Sequence, residues 1–396
     1  MLCHQVCEDL AGRGHDLAVL TSTHGVEEAT ANETGPNIHR ILKLYLPFEL
    51  PGKIMRWQRW RVGKYNYGLT KHSITIEKPN VIFLWSQLRL TIGPAKAAQD
   101  SGIPIVYTFN DETIAGYRPA RFGLTPKGLA RYVFDNYIFS SINFKGLNFK
   151  YATCISQLLK RNLLAKGLPI RKAKVIYQGI PLERFPQKSE PGKIKSPVRL
   201  LYVGQLHPYK GVHTLIEAAH LIADCGLRIA DYKIRDSGSA TRNVRVSIIG
   251  EGPEEYKTLL RDKAARGPAD IKFTGKVAHT ELPRIYREHD IFVFPSAWQE
   301  PFGLTHLEAM ASGTPVISTA DGGHGEFLRD KKNALIFEKE NPKQLVEKIL
   351  CLLDDPDLSR NIAANARAMV EREFTLKRYV TNLETFLQET AIGENL

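Results

Sequence analysis

The 396-residue chain is 43% hydrophobic and 24% charged, with a formal net charge of +12, the make-up of a globular protein with room for two domains. No low-complexity tract, internal repeat or apolar run of membrane-spanning length stands out, and the N-terminus does not read as a signal peptide, so the expected location is the cytoplasm. The five cysteines are odd in number and scattered, which speaks against a disulfide framework, and Cys3 with Cys7 lacks a second ligand pair at zinc-like spacing.

In chain order, residues 2–16 read as a helix ending in glycine, and 17–21 and 38–44 as strands. The stretch from Met55 through Trp57, Arg59, Trp60, Arg61, Lys64 and Tyr65 interleaves basic and aromatic residues. It suits either an anionic membrane face or a helix that packs its tryptophans inward. Residues 80–85 and 104–109 are apolar runs of the kind buried in a parallel sheet, separated by a helical stretch over 91–100. Residues 127–150 again mix Arg131, Lys145 and Lys150 with Phe134, Tyr137, Phe139, Phe144 and Phe149, which suits either lipid contact or core packing of the aromatics. A strand over 151–156, a helix over 157–166 closed by Gly167 and a strand over 174–177 complete a first α/β series.

Residues 181–197 hold proline, glycine and lysine breaks and no apolar period, and are expected to link two domains, 1–180 and 199–374. Up to residue 195, 28 Lys and Arg stand against 14 Asp and Glu, a net +14; the remainder carries 26 against 28, a net −2. The basic excess of the first domain points to an anionic partner or to a merely solvated basic surface. A second series follows, with strands over 199–203, 244–249 and 271–274 and helices over 212–223, 253–263 and 281–288. The polar insertion 226–243 reads as a surface excursion, and helices are expected over 342–353, 358–374 and 376–389, the last, within 375–396, expected to cross back to the first domain.

Between these lies the most informative stretch. Ile291-Phe292-Val293-Phe294 is a short apolar strand ended by Pro295, and Leu304, Leu307 and Ala311 then recur at helical spacing up to a Ser312-Gly313-Thr314-Pro315 stop. Glu300 therefore falls in a loop and Glu308 on a short helix. A helix start containing Gly303 offers backbone N–H groups to an anion such as diphosphate, and the two carboxylates can grip hydroxyls on either side of it. Lys210, in the loop Gly204-Gln205-Leu206-His207-Pro208-Tyr209-Lys210-Gly211 after the strand over 199–203, is a cation suited to a diphosphate whose charge rises as it leaves.

Glu300-Pro301-Phe302-Gly303-Leu304, followed by Leu307-Glu308-Ala309-Met310-Ala311-Ser312-Gly313-Thr314-Pro315, resembles the signature of the family 4 retaining glycosyltransferases. The resemblance implies two Rossmann-like domains facing across a cleft, the GT-B arrangement, with a nucleotide-diphosphate sugar as donor and no metal. Glu300 would meet the donor sugar and Glu308 the ribose, while the backbone at Gly303 and Leu304, beside Phe302, cradles the diphosphate. Lys210 matches the second member of the family's arginine and lysine pair, and Gln205 replaces the arginine, which forfeits a bidentate phosphate contact. Gly250 resembles the donor-side glycine turn, and Lys276 and Val277 stand where the nucleobase is held. Asn110 replaces a histidine that faces the donor; an amide donates a hydrogen bond but carries no proton between reacting groups. The chain also begins without the strand and glycine turn that open such domains, so the first domain is expected to lack its first strand and the chain as given to be weakly active or inactive.

These features lead to the expectation of a retaining glycosyltransferase that moves a sugar to a lipid-linked, glycan or small-molecule acceptor, with an anionic membrane surface as a partner of the first domain and no nucleic acid. Two other readings stay open: a non-catalytic GT-B partner subunit, and a nucleotide-sugar epimerase on the same architecture.

Overall fold

The computed structural model describes residues 2–24, 37–45, 56–85, 89–138, 143–224 and 244–393. The chain divides into two compact units, residues 1–177 with 379–396, and residues 178–378. The insertion expected over 226–243, Met55 of the first basic-aromatic stretch and residues 139–142 of the second lie outside the described residues.

In the first unit the order is α1 (Leu2–Gly12), β1 (Ala18–Ser22), β2 (Asn37–Leu42), α2 (Arg56–Glu77), β3 (Ile82–Trp85), α3 (Gly93–Asp100), β4 (Ile105–Phe109), α4 (Pro126–Val133), β5 (Ala152–Cys154), α5 (Gln157–Ala165) and β6 (Lys174–Val175). Among the described residues β1 pairs with β2 in one parallel sheet, and β3-β4-β5-β6 form a separate parallel sheet in that order. Every residue of β4 is buried, as its unbroken Ile-Val-Tyr-Thr-Phe run requires of a strand covered on both faces. The start of α5 is capped by the Ser156 hydroxyl, which accepts from the Leu159 N–H at 3.1 Å.

The second unit runs β7 (Val198–Val203), α6 (Val212–Ala223), β8 (Val244–Ile249), α7 (Glu254–Ala265), β9 (Asp270–Gly275), α8 (Leu282–Glu288), β10 (Ile291–Phe294), α9 (Leu304–Ala311), β11 (Val316–Ser318), β12 (Leu335–Ile336), α10 (Pro342–Asp354) and α11 (Pro356–Glu373). Its strands form a parallel sheet ordered β12-β11-β10-β7-β8-β9. The order reverses between β7 and β10, so the loops after these two strands diverge and leave a crevice at their carboxyl ends. Aliphatic and aromatic residues fill both faces: Leu200, Leu201, Tyr202, Val246, Ile291, Phe292 and Val293 are fully or almost fully buried. β12, only two residues long, has no counterpart in the sequence reading, because two residues carry no period.

The stretch 181–197, expected as a linker, is instead packed into the second unit. The Lys188 N–H donates to Ser312 O at 3.1 Å, the Gly192 N–H donates to Gly313 O at 3.3 Å, and the Ser359 hydroxyl donates to Gly192 O at 2.6 Å. Backbone hydrogen bonds to the α9 C-terminus hold it, and composition alone does not reveal them. The last helix, α12 (Leu376–Gly393), packs with the first unit: Glu384 accepts from Arg13 and pairs with His15, both at 2.7 Å, and Tyr379 meets Trp85 edge-on at 6.4 Å. None of the helices among the described residues is long and apolar enough to cross a membrane.

The turn after β8 depends on a glycine. Gly250 has φ 149°, and a Cβ there would lie 1.7 Å from Gly204 O. Gly250→Ala is therefore expected to lower stability by at least about 2 kcal/mol, through backbone overlap and an unfavourable dihedral. Gly68→Ala, in the exposed interior of α2 with open space around it, should raise it by about 0.5–1 kcal/mol. Urea unfolding of the two variants beside the parent checks both signs.

Candidate active site

The residues singled out in the second half of the chain gather at the carboxyl ends of β7, β8, β9 and β10. Lys210 ends a 3₁₀ turn, Pro208–Lys210, after β7. It is buried, and its Nζ donates to both oxygens of Glu300, at 2.6 and 2.7 Å. Glu300 is equally buried and accepts a further hydrogen bond, 2.8 Å, from the Ser296 hydroxyl. Its backbone is tied to the loop after β11, where the Gly323 N–H donates to Glu300 O at 2.6 Å. Around the ammonium stand the rings of Trp298, Tyr209 and Phe294 at 5.2, 5.7 and 5.9 Å. Tyr209 and Trp298 touch edge to face at 5.4 Å and remain exposed on the outer side, so the charge sits behind an aromatic rim.

Glu308 is one turn into α9 and buried. Its carboxylate takes a hydrogen bond from the Tyr286 hydroxyl at 2.9 Å and pairs with His279 Nε2 at 3.0 Å. Two partners leave capacity, since an ionised carboxylate offers about four acceptor positions. The structure thus brings Lys210 and Glu300 into direct contact and gives Glu308 different partners. Ser296, His279 and Tyr286, which hold the two glutamates, were not found from the sequence; an isolated serine, histidine or tyrosine at a strand or helix end carries no signal without its neighbours.

Between the glutamates, Gly303 caps α9 with φ 135°, a conformation only glycine adopts readily. Phe302 is buried against Phe327 and Phe374, at 5.6 and 6.1 Å, which anchors the loop, and Leu304 begins the helix. Gln205 is exposed; its backbone oxygen accepts from the Tyr202 hydroxyl at 2.8 Å. Gly250 lies between β8 and α7, and the neighbouring Glu251 O accepts from the Leu206 N–H at 2.8 Å, which joins the first two loops. Lys276 is exposed and Val277 half-buried after β9. The Lys257 ammonium, with the Lys276 backbone N–H adding, holds the Glu251 carboxyl below the usual range. Asn110 belongs to the first unit. It follows β4 and lines a small pocket with Leu84, Ile92, Tyr107 and Phe109.

Beneath Gly303 two imidazoles stack, His306 and His324, with centroids 4.9 Å apart and planes 18° apart. The Ser318 hydroxyl gives its one proton to Thr319 O at 2.7 Å, so His306 Nε2–H donates to Ser318 Oγ at 2.9 Å. His324 Nε2–H donates to Thr319 O at 2.9 Å. Both Nδ1 atoms are buried without a hydrogen-bond partner among the described residues. Burial pushes His306 well below the ordinary histidine range, helped by charge on His324 and Lys210, and burial pushes His324 down to about 4.

Two parallel α/β units, the second with its loops converging on a lysine, two glutamates and a glycine-capped helix, define a protein of the GT-B class. The fold likeness extends along the chain. Sucrose-phosphate synthase from Thermosynechococcus elongatus has a TM-score of 0.67 at 19% identity, covering 97% of this chain and 91% of that one. HepE from Anabaena, in complex with UDP and glucose, has a TM-score of 0.62 at 20% identity and covers 81% of both chains. The family models described as Glycosyltransferase Family 4 and Glycosyl transferases group 1 match residues 1–184 and 183–369, and the chain belongs to the family 4, group 1 glycosyltransferases. Among curated proteins it is 30% identical over 231 residues to spore coat protein SA of Bacillus subtilis and 29% identical over 229 residues to glycogen synthase of Mycobacterium tuberculosis. Those matches take in 54% and 58% of this chain but 57% and 51% of the two relatives, so the matched region spans little more than half the length of each.

The histidine pair makes a pH prediction. Unfolded imidazoles titrate near 6.5, above both folded values, so protons bind the unfolded chain first as pH falls. Stability that is fully present above about 6.5 should be lost progressively towards about 4, His324 alone accounting for up to about 3 kcal/mol. Urea midpoints followed from neutral to acid pH should fall across this window, and less steeply in a His324→Asn variant; parallel curves for the two proteins would contradict a neutral buried pair.

Proposed function

We propose that the chain transfers a sugar, with retention of anomeric configuration, from a nucleotide-diphosphate sugar to a hydroxyl of a lipid-linked, glycan or small-molecule acceptor. The observation that carries this reading is the buried contact between Lys210 and Glu300 at the point where the strand order of the second sheet reverses. A buried ammonium held by a single carboxylate is poised to exchange part of that interaction for a diphosphate. The Gly303-capped start of α9 supplies backbone N–H groups and a positive dipole end to the same anion. The reading assigns the neutralising charge to Lys210 and this helix end rather than to a metal ion.

In this scheme Glu308, oriented by Tyr286 and His279, accepts the ribose hydroxyls. Glu300, partly released as Lys210 turns to the diphosphate, accepts a hydroxyl of the donor sugar. The acceptor oxygen attacks the anomeric carbon on the face from which the diphosphate departs. The bond between sugar and phosphate breaks, and the acceptor proton passes to the leaving phosphate, a route that needs no side-chain base. An anionic membrane face as partner of the basic first unit belongs to the same proposal.

Hydrolysis of a panel of nucleotide sugars in the absence of acceptor tests the reading and names the donor; neither binding nor hydrolysis of any of them would leave a non-catalytic partner subunit. Lys210→Ala and Glu308→Gln should each weaken binding of the matching nucleoside diphosphate by about 1.5–3 kcal/mol, as read by titration calorimetry. Glu300→Gln should depress turnover more than nucleotide affinity; the opposite pattern would exchange the roles of the two glutamates.

A further inference from the structure

Residues 118–137 leave most of their large apolar side chains exposed. α4 contains no buried residue, and it continues into a π-helical turn, Phe134–Ile138. Leu124 is 96% exposed, Tyr137 67% and Phe122 62%, and Leu129, Val133 and Phe134 are exposed with them. The segment is fastened from below by polar atoms. The Asp135 carboxylate accepts from the Ala120 N–H at 3.2 Å, the Asn143 amide donates to Asp135 O at 2.6 Å, and the Asn136 amide donates to Ala120 O at 3.0 Å. Thr125 caps α4 by accepting from the Gly128 N–H at 3.0 Å. An eight-residue helix with no face in the core is marginal in water, and a contiguous patch of large apolar side chains marks an interaction surface.

Charge identifies the partner. From residue 113 to residue 182 the sequence has 12 Lys and Arg and one acidic residue, Asp135, which is buried. Arg121, Lys127, Arg131 and Lys145 are exposed around the apolar side chains. A second copy of the chain seated there by a two-fold axis would set these cations against their own counterparts. Leu, Phe and Tyr rimmed by Lys and Arg is instead the composition of a segment lying in the headgroup region of an anionic bilayer.

The other basic-aromatic stretch, on α2, has a different role. Asn66, Thr70, Ser73 and Ile74 are buried, and cations stand over its rings: Arg61 over Trp57 at 5.5 Å, Lys64 over Trp60 at 4.2 Å, and Lys43 over Tyr65 at 4.1 Å. Trp57 and Tyr65 are each 43% exposed, but α2 has one face in the core, which α4 lacks.

We infer that the surface formed by Phe122, Leu124, Leu129, Val133, Phe134 and Tyr137, with the four exposed cations around it, docks the protein on an anionic lipid surface. It deepens the membrane part of the proposed function but does not involve the nucleotide site, so nucleoside diphosphate affinity stays a separate readout.

The test is co-sedimentation of the full chain with phosphatidylcholine vesicles and with vesicles of phosphatidylcholine and phosphatidylglycerol at about three to one, at low and high salt. The expected result is binding to the anionic vesicles about tenfold or more above the neutral ones, falling steeply as salt rises. It should be lost in Leu124→Ser/Leu129→Ser and in Arg121→Glu/Arg131→Glu, and kept in Trp57→Ala. Because the altered side chains are exposed, the variants should retain the parent melting temperature and nucleotide affinity. Equal binding to both vesicles, no binding, or variants that bind like the parent would overturn the inference. So would a concentration-dependent dimer, seen by sedimentation equilibrium without lipid and abolished by the leucine substitutions, which would give the patch to a second copy.

Discussion

A lysine buried against one glutamate is the interaction around which the second unit is arranged. Taking an ammonium and a carboxylate out of water costs several kcal/mol for each ion, and the pair offsets this only because its geometry is close and its remaining capacity is used. The two short contacts between Lys210 and Glu300, the Ser296 hydroxyl on the same carboxylate and the aromatic rings around the ammonium meet that condition. A packed apolar pair in the same place would serve stability equally well or better. Retaining charge there fits the proposed function, in which the lysine answers to an arriving anion.

The rest of the site follows from how a parallel sheet ends. Parallel strands need crossover connections, so every strand of the second unit delivers its following loop to the same edge. Backbone atoms of those loops then come into close contact, as Glu251 O with the Leu206 N–H and Glu300 O with the Gly323 N–H show. Such proximity is the reason for Gly250 and Gly303: at the first a side chain would overlap a carbonyl oxygen, and at the second the dihedral belongs to glycine. His306 and His324 sit directly beneath, kept neutral by burial, and leave the positive potential at the helix start to Lys210 and the backbone.

The first unit shows how similar compositions serve different ends. α2 and the segment around α4 both mix aromatic and basic residues. On α2 cations lie over the rings and one helix face is buried; around α4 polar atoms anchor the base, Lys145 lies over Tyr137, and no residue of the helix is buried. The difference is one of contacts, and the two stretches read alike as strings of residues.

Much of this protein is determined by its sequence. The apolar runs over β4, β10 and residues 200–203 of β7 are continuous enough to declare buried parallel strands, and the stop at Ser312-Gly313-Thr314-Pro315 ends α9 by local chemistry alone. Glu300 and Glu308 stand out because a glycine-capped helix start lies between them. Only the tertiary structure decided that Lys210 is buried and bonded to Glu300, that Glu308 is held by Tyr286 and His279, and that residues 181–197 pack against the end of α9. These contacts join residues tens of positions apart, and the period and propensity of a short window carry no information about them. For the same reason β12 and the paired imidazoles of His306 and His324 were invisible in the sequence: two residues make no pattern, and a histidine acquires its character from what surrounds it.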